Sequence, residues 1–388
     1  MRTSAFMGLA ALLLPFARAT ALQAAPPLYE LREELRIVAD ESSRSGALTK
    51  VTGLTLLPDN SIVTFHGRQE MAIRVFDSNG KVTSFFGRPG KGPGEFTRIV
   101  GGGSIGNELW GQDAGRVNVL SRTGEALRTI TPSAVRRPPY ETMLGLLSGD
   151  RRLVRHEYPR RVATPDGTPS RSIPFDSVVY GVVDVKGSLV SRFLHVPARK
   201  HDPIFVVANR IPSIIDQSLA GTALHAVAPS SARFLIAADA ELWGGRPGQV
   251  QLLMGDSTGR ITHQMLTFAP RPVPADYLDQ RLARFSTDPA ERAALRADIR
   301  GKYYLPEYYP VLQNIMLGRD GSIWVEPVYE TEMWTVFVNG TAIRRVRIPR
   351  GRDMTIVWAV SRDNVWVTKE DADEVPIILR YGLAPARN

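Results

Sequence analysis

Short apolar runs rich in strand-forming residues alternate with polar turns along most of the chain. In one recurring pattern, a turn of Asp, Asn, Ser or Gly separates two such runs, as in L-L-P-D-N-S-I-V-T. Strand-forming residues on both sides of turn residues are typical of tight β-hairpins. Six copies of this pattern are centred near Asp59, Asn107, Asp150, Ser231, Asp320 and Asp363.

A second hairpin pattern follows each copy of the first. It is centred on a glycine in each case: Gly80, Gly124, Gly187, Gly259, Gly340 and Gly382. Two successive hairpins make one four-stranded antiparallel sheet. Six such units in sequence predict an all-β protein, a six-bladed β-propeller, because radial closure leaves only short sheet edges exposed.

The sixth unit ends one strand short, since the chain stops soon after Tyr381. The segment L-R-E-E-L-R-I-V, Leu31 to Val38, is a spare strand-like piece before the first unit. We therefore predict that it pairs as the outer strand of the last blade and closes the ring. The hairpin residue Phe76 is predicted to lie in the core.

One part of the repeat resembles the NHL-like six-bladed propellers exported by bacteria. It is I-R-V-F-D-S-N-G-K-V, ending at Val82, followed by F-F-G-R-P-G-K-G-P-G-E-F, from Phe85 to Phe96. The resemblance extends over about residues 31–381 and implies the propeller fold. It implies no single function, because such propellers serve very different roles.

The glycine-rich stretch Phe85 to Phe96 could be mistaken for a phosphate-binding loop. A Walker loop needs Ser or Thr after its Gly-Lys pair and then a helix, whereas Gly92 follows Lys91 here. The Gly-x-Gly-x-x-Gly pattern of dinucleotide sites is absent too. We interpret the stretch as a crossover from one blade to the next, because Gly and Pro commonly form turns.

Two insertions interrupt the repeat, at residues 155–176 and at residues 269–310, between the fourth and fifth units. Strand parity places both on the same face of the disc, and loops on a rigid scaffold often carry function. The sequence of the second insertion predicts a small helical region. It contains a short helix followed by a second helix in S-T-D-P-A-E-R-A-A-L-R-A-D-I. In that segment Asp288 is the predicted N-cap, Pro289 the first helical residue and Glu291 the capping partner.

The N-terminal segment predicts export. Arg2, an apolar run and then small residues are typical of a secretory signal peptide over residues 1–21, with cleavage between residues 19 and 25. No second long apolar run follows, so we expect a periplasmic or extracellular protein without a transmembrane segment. The remainder, residues 28–388, is expected to form one propeller domain and a monomer. The absence of cysteine excludes disulfides, lipid-modified cysteines and thiolate metal sites.

The formal net charge of +9 favours anionic partners. Anionic polysaccharide, lipid head groups or acidic proteins fit such a basic exported protein. No nucleic-acid-binding motif is present and the arginines are dispersed, so nucleic acid is not expected as a partner.

Catalytic motifs are missing from the sequence. The six histidines include no His-Glu-x-x-His pattern, and there is no Gly-x-Ser-x-Gly elbow. Acidic residues such as Asp113, Glu326, Glu330 and Glu332 fall in links on the predicted face, where they could either bind a cation or remain solvated. No cofactor is predicted, and no motif identifies a metal ligand.

The residues therefore favour a non-catalytic exported binding propeller whose loop-decorated face holds a protein, a peptide or a glycan, such as an anionic glycan. The alternative is a cation-dependent hydrolase or lyase resembling propeller lactonases. Links and insertions on one face supply the predicted ligand-binding residues, with arginine and tyrosine favoured because they often dominate binding energy. These residues are His66, Arg68, Asp113, Arg116, Arg160, Arg161, Tyr304, Tyr308 and Glu326.

Overall fold

The structure is a computed structural model that describes most of the chain. The described residues are 25–38, 48–67, 70–113, 115–131, 140–159, 175–197, 204–208, 211–215, 219–229, 233–350, 355–370 and 375–386. The N-terminal segment predicted as a signal peptide lies outside them. Within them β-strands are the main secondary structure, with two short α-helices.

Strand β1 (Leu28–Ile37) comes first and finds its partners near the other end of the chain. Four separate four-stranded antiparallel sheets follow, each with its strands in sequence order. The first sheet contains β2 (Val51–Leu56), β3 (Ile62–His66), β4 (Ala72–Phe76) and β5 (Val82–Phe86). The second contains β6 (Gly101–Ile105), β7 (Glu108–Asp113), β8 (Arg116–Leu120) and β9 (Ala126–Ile130). The third contains β10 (Tyr140–Leu147), β11 (Arg151–Pro159), β12 (Phe175–Val183) and β13 (Leu189–Pro197).

A two-stranded hairpin that the sequence analysis did not predict separates the third sheet from the fourth. It consists of β14 (Ile204–Ala208) and β15 (Ile211–Ile215). The fourth sheet contains β16 (Ala223–Val227), β17 (Phe234–Asp239), β18 (Gln249–Gly255) and β19 (Ile261–Thr267).

The predicted helical insertion follows the fourth sheet as α1 (Tyr277–Leu282) and α2 (Pro289–Ile299). The predicted N-cap is confirmed, because the Asp288 carboxylate accepts a hydrogen bond from the backbone N–H of Ala290 at 2.9 Å. Leu282 and Ile299 are buried where the two helices pack against each other, and the Tyr303 ring packs against these residues.

The last part of the chain forms one eight-stranded sheet with β1. Its strands are β20 (Leu312–Leu317), β21 (Ile323–Pro327), β22 (Met333–Val338), β23 (Thr341–Arg347), β24 (Ile356–Val360), β25 (Asn364–Glu370) and β26 (Pro376–Pro385). Their order is β20-β21-β22-β23-β1-β26-β25-β24. The pairing of β1 with β26 is antiparallel from Tyr29 to Ile37, which confirms the predicted closure by the two ends of the domain.

One feature of this sheet differs from the prediction of separate blades. At its start β1 also pairs in parallel with β23, with Leu28 opposite Arg345 and Tyr29 opposite Val346. The structure therefore shows four four-stranded blades and one eight-stranded sheet. The start of β1 thus lies between two outer strands, since Tyr29 pairs with Pro385 of β26 on one side and with Val346 of β23 on the other.

The first strands of the successive units are neighbours in space. The contacts run from β2 to β6, β10, β16, β20 and β24, and from β24 back to β2. Hydrophobic clusters fill the spaces between sheets: Phe76 is 1% exposed and packs with Ile62 and Trp366, which confirms its predicted place in the core. No helix of the described residues is long and apolar enough to cross a membrane.

Two ends of these sheets can be distinguished. We call the side that carries the links from second to third strands, and from one sheet to the next, the insertion face. The side that carries the turns between first and second strands is the turn face. On the turn face, the Arg319 guanidinium donates to the Leu57 carbonyl at 2.7 Å and to Asn60 Oδ1 at 2.7 Å.

Candidate functional site

A cleft of about 220 Å³ opens on the insertion face, between the fourth sheet and the end of the helical insertion. Its walls come from two segments, residues 239–249 after β17 and residues 304–311 before β20. Three tyrosines of the second segment, Tyr304, Tyr308 and Tyr309, line it. The opposite wall includes Gly248, whose φ of +82° and close approach to the Phe268 carbonyl oxygen leave no room for a side chain.

The two ends of the insertion pair with each other and so hold the tyrosines in place. The Tyr309 N–H donates to the Arg271 carbonyl and the Val273 N–H donates to the Glu307 carbonyl, each at 2.9 Å. Pro272 and Tyr308 form a β-bridge between these bonds. This short stem fixes the backbone from which the side chain of Tyr308 extends.

An aromatic row continues beyond the cleft. The ring centroids of Tyr277 and Tyr309 are 5.9 Å apart, and those of Tyr309 and Tyr329 are 6.1 Å apart. Burial raises the pKa of Tyr329 to about 12, so its hydroxyl stays neutral at physiological pH. The row thus links α1, the end of the insertion and the β21–β22 link through large, rigid apolar surfaces.

Asp239, the last residue of β17, forms the floor of the cleft and is 1% exposed. Its carboxylate accepts hydrogen bonds from the backbone N–H groups of Val311 at 2.9 Å, Leu312 at 3.1 Å and Thr222 at 3.1 Å. Burial raises the pKa of Asp239 to about 6, although these three hydrogen bonds act in the opposite direction. The residue ties the fourth sheet to the start of β20, and its oxygens are occupied by the protein.

Glu241 supports the wall of the cleft in a similar way. Its Oε2 accepts a hydrogen bond from the Gly221 N–H at 2.7 Å, and the side chain is also hydrogen-bonded to Tyr304. Burial, followed by the Glu241 charge, raises the pKa of Tyr304 to about 12. The cleft therefore presents phenol groups on a fixed frame, with the exposed Glu307 at its rim.

Of the predicted site residues, the structure brings Tyr304 and Tyr308 together in this cleft. Arg68, Arg160 and Arg161 lie outside the described residues, so their binding role stays a prediction. The other four, His66, Asp113, Arg116 and Glu326, lie at or next to the links between second and third strands, as expected, but on three different sheets, of which Asp113 and Arg116 share one. The side chain of each of these four residues makes hydrogen bonds within the protein.

Asp113 and Arg116 hold the glycine-rich crossover in place. Asp113 accepts hydrogen bonds from the Thr97 and Arg98 N–H groups, each at 3.0 Å, and pairs with Arg116 Nε at 3.2 Å. The Arg116 guanidinium donates to the carbonyl oxygens of Lys91 and Glu95. The stretch Phe85 to Phe96 is thus held as a link between two sheets, as its composition predicts.

Glu326 and His66 are both fully buried. Glu326 accepts hydrogen bonds from Asn314 Nδ2 at 2.5 Å and from the Glu332 N–H at 2.8 Å, and it also pairs with Arg350. His66 Nε2 lies 2.9 Å from Thr64 Oγ1, and burial lowers the pKa of His66 to about 4. Its imidazole is therefore neutral at physiological pH.

Sequence reasoning missed Asp239, Glu241 and Tyr309. A usable signal was present, because Asp239 ends the run F-L-I-A-A-D as Asp113 ends the second strand of its own sheet. An acid at the end of an apolar second strand lies beside the start of a first strand, that of its own sheet for Asp113 and those of its own and the next unit for Asp239. Among the described residues, no group of three or more His, Asp or Glu side chains is arranged to hold a metal ion.

No protein-family model matches this chain, and no characterised protein matches it by sequence. Among solved structures, it is similar to an exported-protein candidate from Bacteroides fragilis, with 12% identity and a TM-score of 0.47 over 93% of this chain and 99% of that one. The PQQ-bound aldose sugar dehydrogenase from Streptomyces coelicolor has 12% identity and a TM-score of 0.40, covering 93% and 100% of the two chains. A luciferin-regenerating enzyme has 9% identity and a TM-score of 0.39, covering 90% and 95%. Likeness at this level carries no argument about activity.

Proposed function

We propose that this protein is an exported, non-catalytic binding propeller that holds a protein, peptide or glycan partner on its insertion face. The observation that carries the proposal is the tyrosine-lined cleft beside the helical insertion. Tyrosine provides a large contact area at a small cost in side-chain entropy, together with a hydroxyl that donates or accepts hydrogen bonds.

The size of the cleft indicates how the partner is held. Pockets that enclose a whole small ligand usually measure about 300–1,000 Å³. A cleft of about 220 Å³ instead suits one side chain or one sugar ring. We therefore infer that a larger partner lies across the face and inserts one group between Tyr304 and Tyr308.

The state of the buried acids favours binding over cation-dependent hydrolysis. Among the described residues, the buried carboxylates are those of Asp113, Asp239 and Glu326, each at or next to the end of a second strand. Backbone N–H groups or arginines occupy their oxygens. A cation would have to displace these donors, at the cost of leaving them buried and unpaired.

The finer features of the protein follow from the same proposal. The eight-stranded sheet divides between β23 and β1 into two four-stranded halves. Together with the four separate sheets, these two halves make six blades. The ring of neighbouring first strands supports this count. The signal-like residues 1–21, and the NHL-like pattern of residues 73–96, support an exported propeller of that kind.

The proposal can be tested by selection against the purified protein. A phage-displayed peptide library and a glycan array would be screened with the wild type and, in parallel, with the Tyr304→Ala/Tyr308→Ala double variant. We expect a consistent set of peptides or glycans that bind the wild type and not the double variant. Hits that bind both proteins equally, or no reproducible hits in either screen, would contradict the proposal.

A further inference from the structure

A second cavity, of about 450 Å³, opens on the insertion face between the first and second sheets. It is separate from the tyrosine cleft, and the predicted ligand contacts that the structure describes do not line it. Its walls come from the starts of β2 and β6 and from the end of β3. The lining residues are Thr49, Lys50, Thr52, Gly67, Arg98, Ile99 and Val100.

Most polar groups of this wall are already committed to internal hydrogen bonds. The Thr49 hydroxyl donates to Glu70 Oε2 at 2.9 Å, and the Thr52 hydroxyl donates to the Phe65 carbonyl at 3.1 Å. The Val100 N–H donates to the Gln112 carbonyl at 2.9 Å. These bonds make the wall rigid and leave its hydroxyl hydrogens unavailable to a ligand.

Two cationic side chains of the cavity wall remain available to bind a ligand. The side chains of Lys50 and Arg98 line the cavity and are exposed, and within the described ranges neither makes an ion pair with an acid. The acid behind the wall, Glu70, is neutralised by Arg74, whose Nη2 lies 2.5 Å from Glu70 Oε1. The neighbouring His66 is neutral above pH 4. From the described residues, a ligand in the cavity therefore meets about two positive charges.

The size and surface of the cavity indicate more than a bare inorganic ion. A volume of 450 Å³ lies within the usual range for small-molecule sites. Val100 is 41% exposed and, with the methyl group of Thr52, provides an apolar patch beside the two cations. A guanidinium can hold an oxyanion through two parallel hydrogen bonds while an ammonium adds a point charge.

We propose that this cavity binds a monosaccharide-sized organic anion through Lys50 and Arg98, with the carboxylate or sulfate of the ligand between the two cations. The carbon skeleton of the ligand lies against Val100 and Thr52. This site goes beyond the proposed partner-binding role and does not depend on the tyrosine cleft.

Isothermal titration calorimetry on the purified protein tests the proposal. Galacturonate and galactose 6-sulfate are titrated at low salt, with galactose as the neutral analogue and inorganic sulfate as the bare ion. The test variant is Lys50→Gln/Arg98→Gln. The control, Lys186→Gln/Arg260→Gln, removes the same two charge types from exposed turns on the turn face.

We expect at least one of the two sugar anions to bind the wild type about tenfold or more tightly than either galactose or sulfate. The test variant should lose about tenfold or more of this affinity, the control should keep it within about twofold, and 1 M salt should weaken it. Tyr308→Ala should leave it unchanged, so failure here and failure of the proposed function can be told apart. Equal affinity for galactose and both anions, equal affinity for sulfate, or an unaffected test variant would overturn the proposal.

Discussion

Arg319 Nη2 lies 2.7 Å from Asn60 Oδ1, although the two residues are 259 positions apart in the chain. Arg319 belongs to the turn between β20 and β21, and Asn60 to the turn between β2 and β3. The same guanidinium also donates to the Leu57 and Pro58 carbonyl oxygens. This side chain thus ties the β20–β21 turn to the β2–β3 turn on the turn face, while the insertion face carries both cavities.

The first prediction concerns this tie. Replacing Arg319 by Met keeps most of the side-chain length but removes its hydrogen bonds. We expect Arg319→Met to lower the free energy of unfolding by about 2 kcal/mol, since hydrogen bonds from charged groups contribute roughly 1.5–3 kcal/mol each and partial exposure reduces this. Urea unfolding measures it, with Arg260→Met on an exposed turn as control. Equal stability of the two variants would mean that the tie is energetically unimportant.

A second prediction concerns closure by β1. A chain that begins at residue 39 lacks β1 and therefore exposes the edge of β26. A chain that begins at residue 25 keeps β1, which covers that edge. The shorter chain should melt at a lower temperature or aggregate, because an unpaired strand edge is a template for association. Thermal melting and light scattering compare the two chains. Matching melts, with both chains monomeric, would show that β1 is dispensable.

The third prediction concerns the core between the first sheet and the last strands. Phe76→Ala should lower the free energy of unfolding by about 3–5 kcal/mol, because truncating a fully buried Phe removes its contacts and leaves a cavity. Leu127→Ala is the control, since Leu127 is 43% exposed and should change stability little. Similar losses in both variants would contradict the assigned packing.

The fourth prediction concerns pH. In the folded protein the pKa of His66 is about 4, below the usual value near 6.5, so the unfolded chain takes up a proton that the folded protein does not. The stability gained from a neutral His66 is present above pH 6.5 and is lost as the pH falls towards 4, by up to about 3 kcal/mol. His66→Gln should remove this part of the pH dependence.

The measurement for His66 is the difference between wild type and variant in urea unfolding at pH 7 and pH 5. The raised pKa of Asp239, about 6, has the opposite effect, because the folded protein then holds a proton that the unfolded chain releases. Asp239 is present in both proteins, so its effect cancels in the difference. Parallel pH profiles for wild type and His66→Gln would contradict the assignment.

Local signals made much of the fold predictable from the sequence. The turn residues at Asp59 and Gly80 correctly located two hairpins of the first sheet, and Asp288 correctly marked the start of α2. The hairpin turns and the start of the helix each depend on neighbouring residues alone. The closure by β1 was predictable for a different reason, since a missing strand at one end and a spare strand at the other have one economical solution.

Features that depend on distant contacts were not predictable in this way. The parallel pairing of Leu28 with Arg345 joins residues that are far apart in the chain, and no local pattern encodes it. The sequence also could not separate exposed acids from buried ones. In the sequence, Asp113 and Glu326 look like solvated loop acids. In the structure their carboxylates are buried and accept hydrogen bonds from other residues of the protein. Asp239 could have been located as the acid that ends an apolar strand, but its burial could not have been predicted.

The central claim, that the tyrosine cleft on the insertion face holds the partner, is tested most directly by titration calorimetry with a peptide or glycan selected on the wild type. The proteins compared are wild type, Tyr308→Phe, Tyr308→Ala and Val185→Ala, an exposed change on the turn face. Loss of a dominant contact costs about 2 kcal/mol or more, so Tyr308→Ala should raise the Kd roughly 30-fold. Tyr308→Phe should keep most of the affinity, because it retains the ring, and all four proteins should melt within a few degrees of one another. An unchanged Kd for Tyr308→Ala, or a loss of stability comparable to that of Phe76→Ala, would contradict the account.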